Sequence, residues 1–287
     1  MPTESAAGLD GWYPKDMALL SDKALEKLVD MLNAIEEGAE WPKHMHFTRA
    51  VMLPKDENNT QDPLAYRILK VSSAIYRKWA TTRNKKLENW ILTWDDQALY
   101  AGVPGKGAQD AWYTSAICNE MQRINGYQIA GGSIDVYKCF DQINGHLLKE
   151  LAIKAGMPKR IYDPYFRYIE NMQSCFQVGK RIGKPAKDRC SIPQGCPFSM
   201  TMIGLITIPW INMMKEKNIA PRVLADDLMF SAYGEGHRAN ACDAMNTSID
   251  YFEAIGVKDA HNKCFMFATD AHTRNHFRNC NWKTKGI

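Results

Sequence analysis

Leu224-Ala225-Asp226-Asp227-Leu228 is the stretch on which the reading of this chain turns. Two adjacent carboxylates lie between short apolar runs, inside a segment, Arg222–Ser231, patterned as a hairpin with the Asp pair at its tip. Adjacent carboxylates repel each other, and apolar flanks reduce their hydration, so the ionised pair is costly unless a cation compensates it. Mg²⁺ suits that task because it prefers one or two carboxylates plus substrate phosphates. A plain surface turn also carries Asp-Asp, and the pair by itself does not choose between the two readings.

Working outward, a second β-prone run, Tyr127–Val136, ends in a carboxylate within Ser133-Ile134-Asp135-Val136-Tyr137. Two metals about 3.5–4 Å apart, clamping attacking and leaving oxygens, need Asp from neighbouring strands. Around these runs the pattern predicts further elements. Leu25, Leu28, Val29, Leu32 and Ile35 recur at helical spacing, and Gly38 stops that helix. Arg49–Leu53 reads as a strand, Asp56–Pro63 as a turn-rich loop, and Ala65–Ala80 as a strand passing into a helix. Helices are expected at Ala108–Arg123, Gly145–Ala155, Ile161–Cys175, Cys196–Lys215 and Ala239–Ala254, with a last strand at Cys264–Ala268. Interleaved strands and helices imply an α/β or α+β sheet carrying helices.

The 287 residues, 45% hydrophobic and 24% charged, have ordinary globular composition. A net charge of +4 excludes little, since a nucleic-acid enzyme can gather its cations on one face. The apolar stretch Met200–Met214 is too short to span a bilayer, so no membrane is expected. No charged-then-apolar leader opens the chain. The 8 Cys, without a CxxC pair, read as reduced thiols of an intracellular protein.

Three motifs resemble those of the reverse transcriptases of retroelements, especially the non-LTR retrotransposon and group II intron side of that family. Asp135-Val136-Tyr137-Lys138-Cys139-Phe140-Asp141 is similar to the family's first palm motif, Ile192-Pro193-Gln194-Gly195-Cys196-Pro197-Phe198-Ser199 to its Pro-Gln-Gly motif, and Leu224-Ala225-Asp226-Asp227 to its metal-binding box. Order and spacing agree, and Gly8-Leu9-Asp10-Gly11-Trp12 looks like the start of the family's fingers. The departures are Leu224 where an aromatic is frequent, Met200 where Pro is usual, and Arg67-Ile68-Leu69 in place of Arg-Pro-Ile.

The resemblance implies a right-hand polymerase of α+β class, with helical and hairpin fingers and a palm built on an antiparallel sheet. The fingers would cover about 8–127 and 147–187 and the palm about 128–146 and 188–287. The end at Lys285-Gly286-Ile287 looks like the last palm motif, so no thumb is expected. It further implies RNA-directed DNA synthesis on a primed RNA or DNA template with dNTPs. Asp135, Asp226 and Asp227 would hold two Mg²⁺, which Mn²⁺ can replace, and Lys263 would protonate the leaving pyrophosphate. Lys55 and Arg67 would grip the triphosphate, and Val136, Phe140, Gln194 and Gly195 would line the nucleotide site.

Template and primer contacts are expected on two basic clusters. One holds Arg77, Lys78, Arg83, Lys85 and Lys86, interleaved with Tyr76, Trp79 and Trp90; the other holds Lys180, Arg181, Lys184, Lys187 and Arg189. Such patches neutralise phosphates, and exposed aromatics stack on bases; a solubilising face is the alternative for either cluster. Lys106 and Gln109 look like a template-side helix start. His272, His276 and Cys280 recur every four residues but fit no standard zinc spacing, so ordinary polar surface is expected there.

Two rivals share parts of this pattern. A viral RNA-dependent RNA polymerase has the same palm, usually with an Asp five residues after the first metal Asp; Phe140 stands there instead. An inactive RNA-binding relic usually loses palm carboxylates, and here all three remain.

Overall fold

The computed structural model describes residues 5–55, 61–62, 65–187, 192–258, 260–280 and 282. In chain order the elements are α1 (Asp22–Glu36), β1 (Phe47–Pro54), β2 (Tyr66–Val71), α2 (Ala74–Lys86), α3 (Glu88–Ile91), α4 (Ala108–Ile124), β3 (Ile129–Asp135) and α5 (Cys139–Gln142). There follow α6 (Gly145–Lys154), α7 (Lys159–Asn171), β4 (Gln173–Val178), β5 (Arg181–Ile182), β6 (Ala186–Lys187), α8 (Ser199–Glu216), β7 (Ala220–Leu224), β8 (Asp227–Tyr233), α9 (His237–Ala254), β9 (Phe265–Ala268) and α10 (Ala271–Asn279).

These form two compact units, each built from two stretches of chain: Met1–Trp90 with Gly145–Ser199, and Ile91–Asn144 with Met200–Ile287. In the first, strands run in the order β2-β1-β4-β5, with β6 also on β4. β1 pairs antiparallel with β2 and parallel with β4. Its core is aromatic. Tyr76 and Tyr168 stack with ring centroids 3.5 Å apart, Trp41 meets both edge-on, and Trp79 and Tyr165 close on Phe198. Buried polar ends find partners, as such packing requires: Trp41 Nε1 donates to Pro164 O at 2.8 Å and Tyr168 Oη to Met45 O at 2.8 Å.

The second unit is a four-stranded antiparallel sheet, β7-β8-β3-β9. α4 packs on β7 and β3, α9 on β3 and β8, and α10 on β9. Residues 91–127 belong to this unit. The reason lies in pairing: Val223 of β7 donates to Ala98 O at 2.8 Å and accepts from Tyr100 N at 3.0 Å, so the segment extends the sheet edge. Likewise Ile192–Ser199 lies in the first unit because Lys70 N donates to Gln194 O at 2.9 Å.

One expected helix is shorter than its pattern. The helical period continues to Cys175, but α7 stops at Asn171 and the chain turns into β4. Ser174 and Cys175 are buried in parallel register with Thr48 and Arg49, a pairing partner that local periodicity cannot reveal. α1 follows its pattern up to the turn at Gly38, yet only its end is covered: Ile35 is buried while Leu25 and Val29 are exposed.

Candidate active site

Register builds the carboxylate cluster. β3 and β8 pair so that Asp135 lies directly opposite Asp227, with Ile134 opposite Leu228 one step back. Opposed antiparallel residues share a face, with Cβ atoms about 4.5–5.5 Å apart. Ile134 and Leu228 are buried, so the alternation turns Asp135 and Asp227 to the open face. Leu224 pairs with Asp227, leaving Ala225-Asp226 as a two-residue turn. Ala225 takes φ 59°, a left-handed conformation that costs a residue with a Cβ about 1–2 kcal/mol. Strain of this kind persists only where surrounding structure enforces it, and it clusters at functional sites.

Electrostatics agrees with the geometry. Burial, then the charges of Asp226 and Asp135, raise the Asp227 carboxyl above the usual range, with Lys263 opposing. Burial and the same two carboxylates also push up the Cys139 thiol. Lys263 Nζ lies 3.0 Å from Asp135 Oδ2. The chain around Lys263 is tied to the end of β3: Ala260 N donates to Asp135 O at 2.8 Å, and Tyr137 N to Lys258 O at 3.0 Å. Gln142 fastens the same junction, accepting from Lys258 N at 3.1 Å and donating to Lys258 O at 3.2 Å.

The predicted site residues of the second unit therefore converge as a set: Asp135, Asp226, Asp227 and Lys263. Phe140 is half-buried on α5, and the Val136 side chain is in the core. Beside Asp227 runs a groove of about 460 Å³, floored by Ser133 and Met229 and walled by Trp112, Ser115 and Asn119 of α4. Trp112 is 74% exposed. The sequence marks this residue only weakly, since about half of α4 is apolar.

In the first unit, Lys55 and Arg67 are both exposed and share a face of the β1–β2 hairpin. Leu53 is opposite Arg67, and Lys55 N continues the ladder to Ala65 O at 2.9 Å. Gln194 and Gly195 sit against the other end of β2. Gly195 has φ 105°, and a Cβ there would fall 2.9 Å from Lys70 O, so only glycine fits this close, exposed backbone. Ser199 Oγ donates to Pro193 O at 2.8 Å and locks the turn.

The basic clusters divide. Arg83 is ion-paired with buried Glu36, and Arg77 donates to Ser72 O at 3.1 Å and to Ala6 O, so both are engaged inside the chain. Lys78 is exposed. Tyr76, Trp79 and Trp90 are all buried, which removes them as platforms for bases. Lys184 is exposed, Arg189 lies outside the described residues, and Lys106 is held by Asp95 at 2.9 Å. The Asp56–Pro63 loop falls largely, and Lys285–Ile287 wholly, outside the described residues.

Two solved structures share this fold. The apo telomerase of Candida tropicalis, truncated from its C-terminal domain, superposes with a TM-score of 0.59 at 12% identity, over 82% of this chain and 52% of that one. The telomerase of Candida tropicalis in complex with the TWJ fragment of telomeric RNA gives 0.59 at 12% identity, over 87% and 45%. The architecture is thus a reverse-transcriptase-like polymerase fold, and the chain spans about half the length of these telomerase chains. Residues 53–282 match the family model described as reverse transcriptase (RNA-dependent DNA polymerase), so the chain belongs to the reverse transcriptase family. No curated protein gives a significant sequence match. Among the described residues, no helix is long and apolar enough to cross a membrane.

Proposed function

We propose that this chain is an RNA-directed DNA polymerase domain that extends a primer with dNTPs, its second unit serving as palm and its first as fingers. The observation that carries the reading is the β3–β8 register, which sets Asp135 against Asp227 with Asp226 at the adjoining turn. Three hard oxygen donors, with the Asp227 carboxyl raised by burial and then by the charges of Asp226 and Asp135, suit a divalent cation such as Mg²⁺. Two bound Mg²⁺ would supply charge neutralisation at the attacking and leaving oxygens.

The chain's own groups have separable tasks. Asp135, Asp226 and Asp227 hold fixed negative charge at the site. Lys263 stands 3.0 Å from Asp135 with an ammonium proton available to a leaving oxygen. Lys55 and Arg67 offer two cations on one face for a triphosphate, since phosphoryl transfer is mostly positioning and charge neutralisation. The exposed backbone at Gly195 allows a base pair to approach closely. The groove beside Asp227 gives the primer end a track, with Trp112 as a stacking surface. Exposed Lys78 and Lys184 supply phosphate contacts.

Primer extension on an RNA template with Mg²⁺, comparing dNTPs with NTPs, tests the proposal. Asp226→Asn keeps the turn but removes a charge, and loss of about 4 kcal/mol of transition-state stabilisation slows extension roughly 10³-fold. Near-normal extension by a folded Asp226→Asn protein would end the metal reading. Faster use of NTPs than dNTPs by the wild type would turn the assignment toward RNA synthesis.

A further inference from the structure

A cluster of side chains of metal-ligating type lies where α9 meets α10. α9 and α10 run side by side and meet one turn at a time. At the first level, His237 Nε2 lies 2.9 Å from Asp270 Oδ2 and 3.1 Å from Thr273 Oγ1, while Asp270 caps α10 by accepting from Thr273 N at 2.8 Å. At the second, Arg238 Nη1 lies 3.0 Å from His272 Nδ1. One turn further on both helices, 238 becomes 242 and 272 becomes 276. There the Cys242 thiol, the His276 imidazole and the Cys280 thiol converge, with all three ligand atoms within 4.8 Å of one another. Buried Thr273 and Phe277 hold α10 in place between these contacts.

We propose that Cys242, His276 and Cys280 form a zinc site that clasps α10 to α9. Two thiolates and an imidazole are the donor set that Zn²⁺ prefers and Mg²⁺ does not, so the site is chemically separate from the carboxylate cluster. Tetrahedral Zn²⁺ with Zn–S of about 2.3 Å and Zn–N of about 2.0–2.1 Å places its ligand atoms roughly 3.6–3.8 Å apart. Small side-chain rotations bring ligand atoms that lie within 4.8 Å of one another to that spacing. Three protein ligands leave the fourth position to solvent. Burial and the adjacent Cys280 raise the Cys242 thiol to about 11. Position along the chain hides the site: Cys242 lies 34 residues before His276 and belongs to no metal-spacing motif with it.

The test uses the whole chain, stripped of metal with a chelator and kept reduced, and titrated with Co²⁺ and then Zn²⁺. One equivalent of Co²⁺ should produce a thiolate-to-metal charge-transfer band, which carboxylates do not give, and Zn²⁺ should displace it. Loss of an outer partner of a metal ligand typically costs 10–100-fold in affinity, so Cys242→Ser, Cys280→Ser or the exposed His276→Ala should weaken binding by more than about 100-fold. Asp226→Asn should leave the band unchanged. A wild-type protein without the band at one equivalent overturns the proposal even if the Cys variants fail to fold. So does a band that survives in the Cys242→Ser/Cys280→Ser protein, or a Cys242–Cys280 disulfide that forms in place of metal binding under the same reducing conditions.

Discussion

Phe140 stands five residues after Asp135, on the single-turn helix that follows a left-handed turn at Lys138, φ 43°. Its ring is half-buried, so it is not wholly absorbed by the core. Placed beside a bound nucleotide, the ring offers no acceptor to a ribose 2′-hydroxyl. An unpaired buried hydroxyl costs about 1–3 kcal/mol, which corresponds to roughly 5- to 150-fold preference for dNTPs. Phe140→Ala should lower the ratio of kcat/KM for dGTP over GTP by that factor while some dNTP incorporation remains. A ratio that does not move identifies Phe140 as packing only. At this scale the sequence pointed to residues that the fold places near one another and was silent about strain. Asp135, Asp226, Asp227 and Lys263 were named before the fold and are brought together by it. The left-handed Ala225 was not legible, because its conformation is set by closing β7 onto β8 in two residues rather than by its own preference.

Between residue and fold, the strand that carries Asp135 is the sensitive element. β3 is flanked on both sides, by β8 and β9, and places Gly131 and Gly132 where those strands crowd it. A Cβ on Gly131 would lie 2.3 Å from Phe230 O and 2.6 Å from Phe267 Cζ. The phenyl ring can swing away; the paired backbone carbonyl cannot without spreading the ladder. Gly131→Ala should therefore destabilise by about 1–3 kcal/mol and lower Tm by several degrees. Extension should fall further than the stability loss explains, because the displaced strand moves Asp135 relative to Asp227. Thermal unfolding together with activity measured well below Tm separates the two effects, and an unchanged Tm would show that β3 tolerates the spread. Most elements with strong local periodicity or clear turn signals were readable in advance. β4 was not, since its identity comes from β1, more than a hundred residues earlier.

The whole molecule is interlaced rather than serial. Each compact unit takes one stretch from either side of the Asn144–Gly145 junction, so neither unit is a continuous segment. That arrangement follows the pairing of 98–100 with β7 and of Lys70 with Gln194 rather than the order of motifs along the chain. It also yields a prediction about cutting the chain. A fragment covering 1–144 keeps β1 but loses β4, its parallel partner. It keeps Trp41 and Tyr76 but loses Tyr168, on which both rings pack. It keeps β3 but loses β8 and β9, both of its neighbours. Uncovering a large apolar side chain costs about 1.5–3 kcal/mol, and several are uncovered at once, against a total stability of about 5–15 kcal/mol for a typical domain. The fragment should show no cooperative transition in urea by circular dichroism. Mixing it with 145–287 should restore a transition only if the halves reassemble both sheets. A sharp two-state transition from 1–144 alone would mean that α1, α2, α4 and the β1–β2 hairpin hold a core without the residues that now complete it.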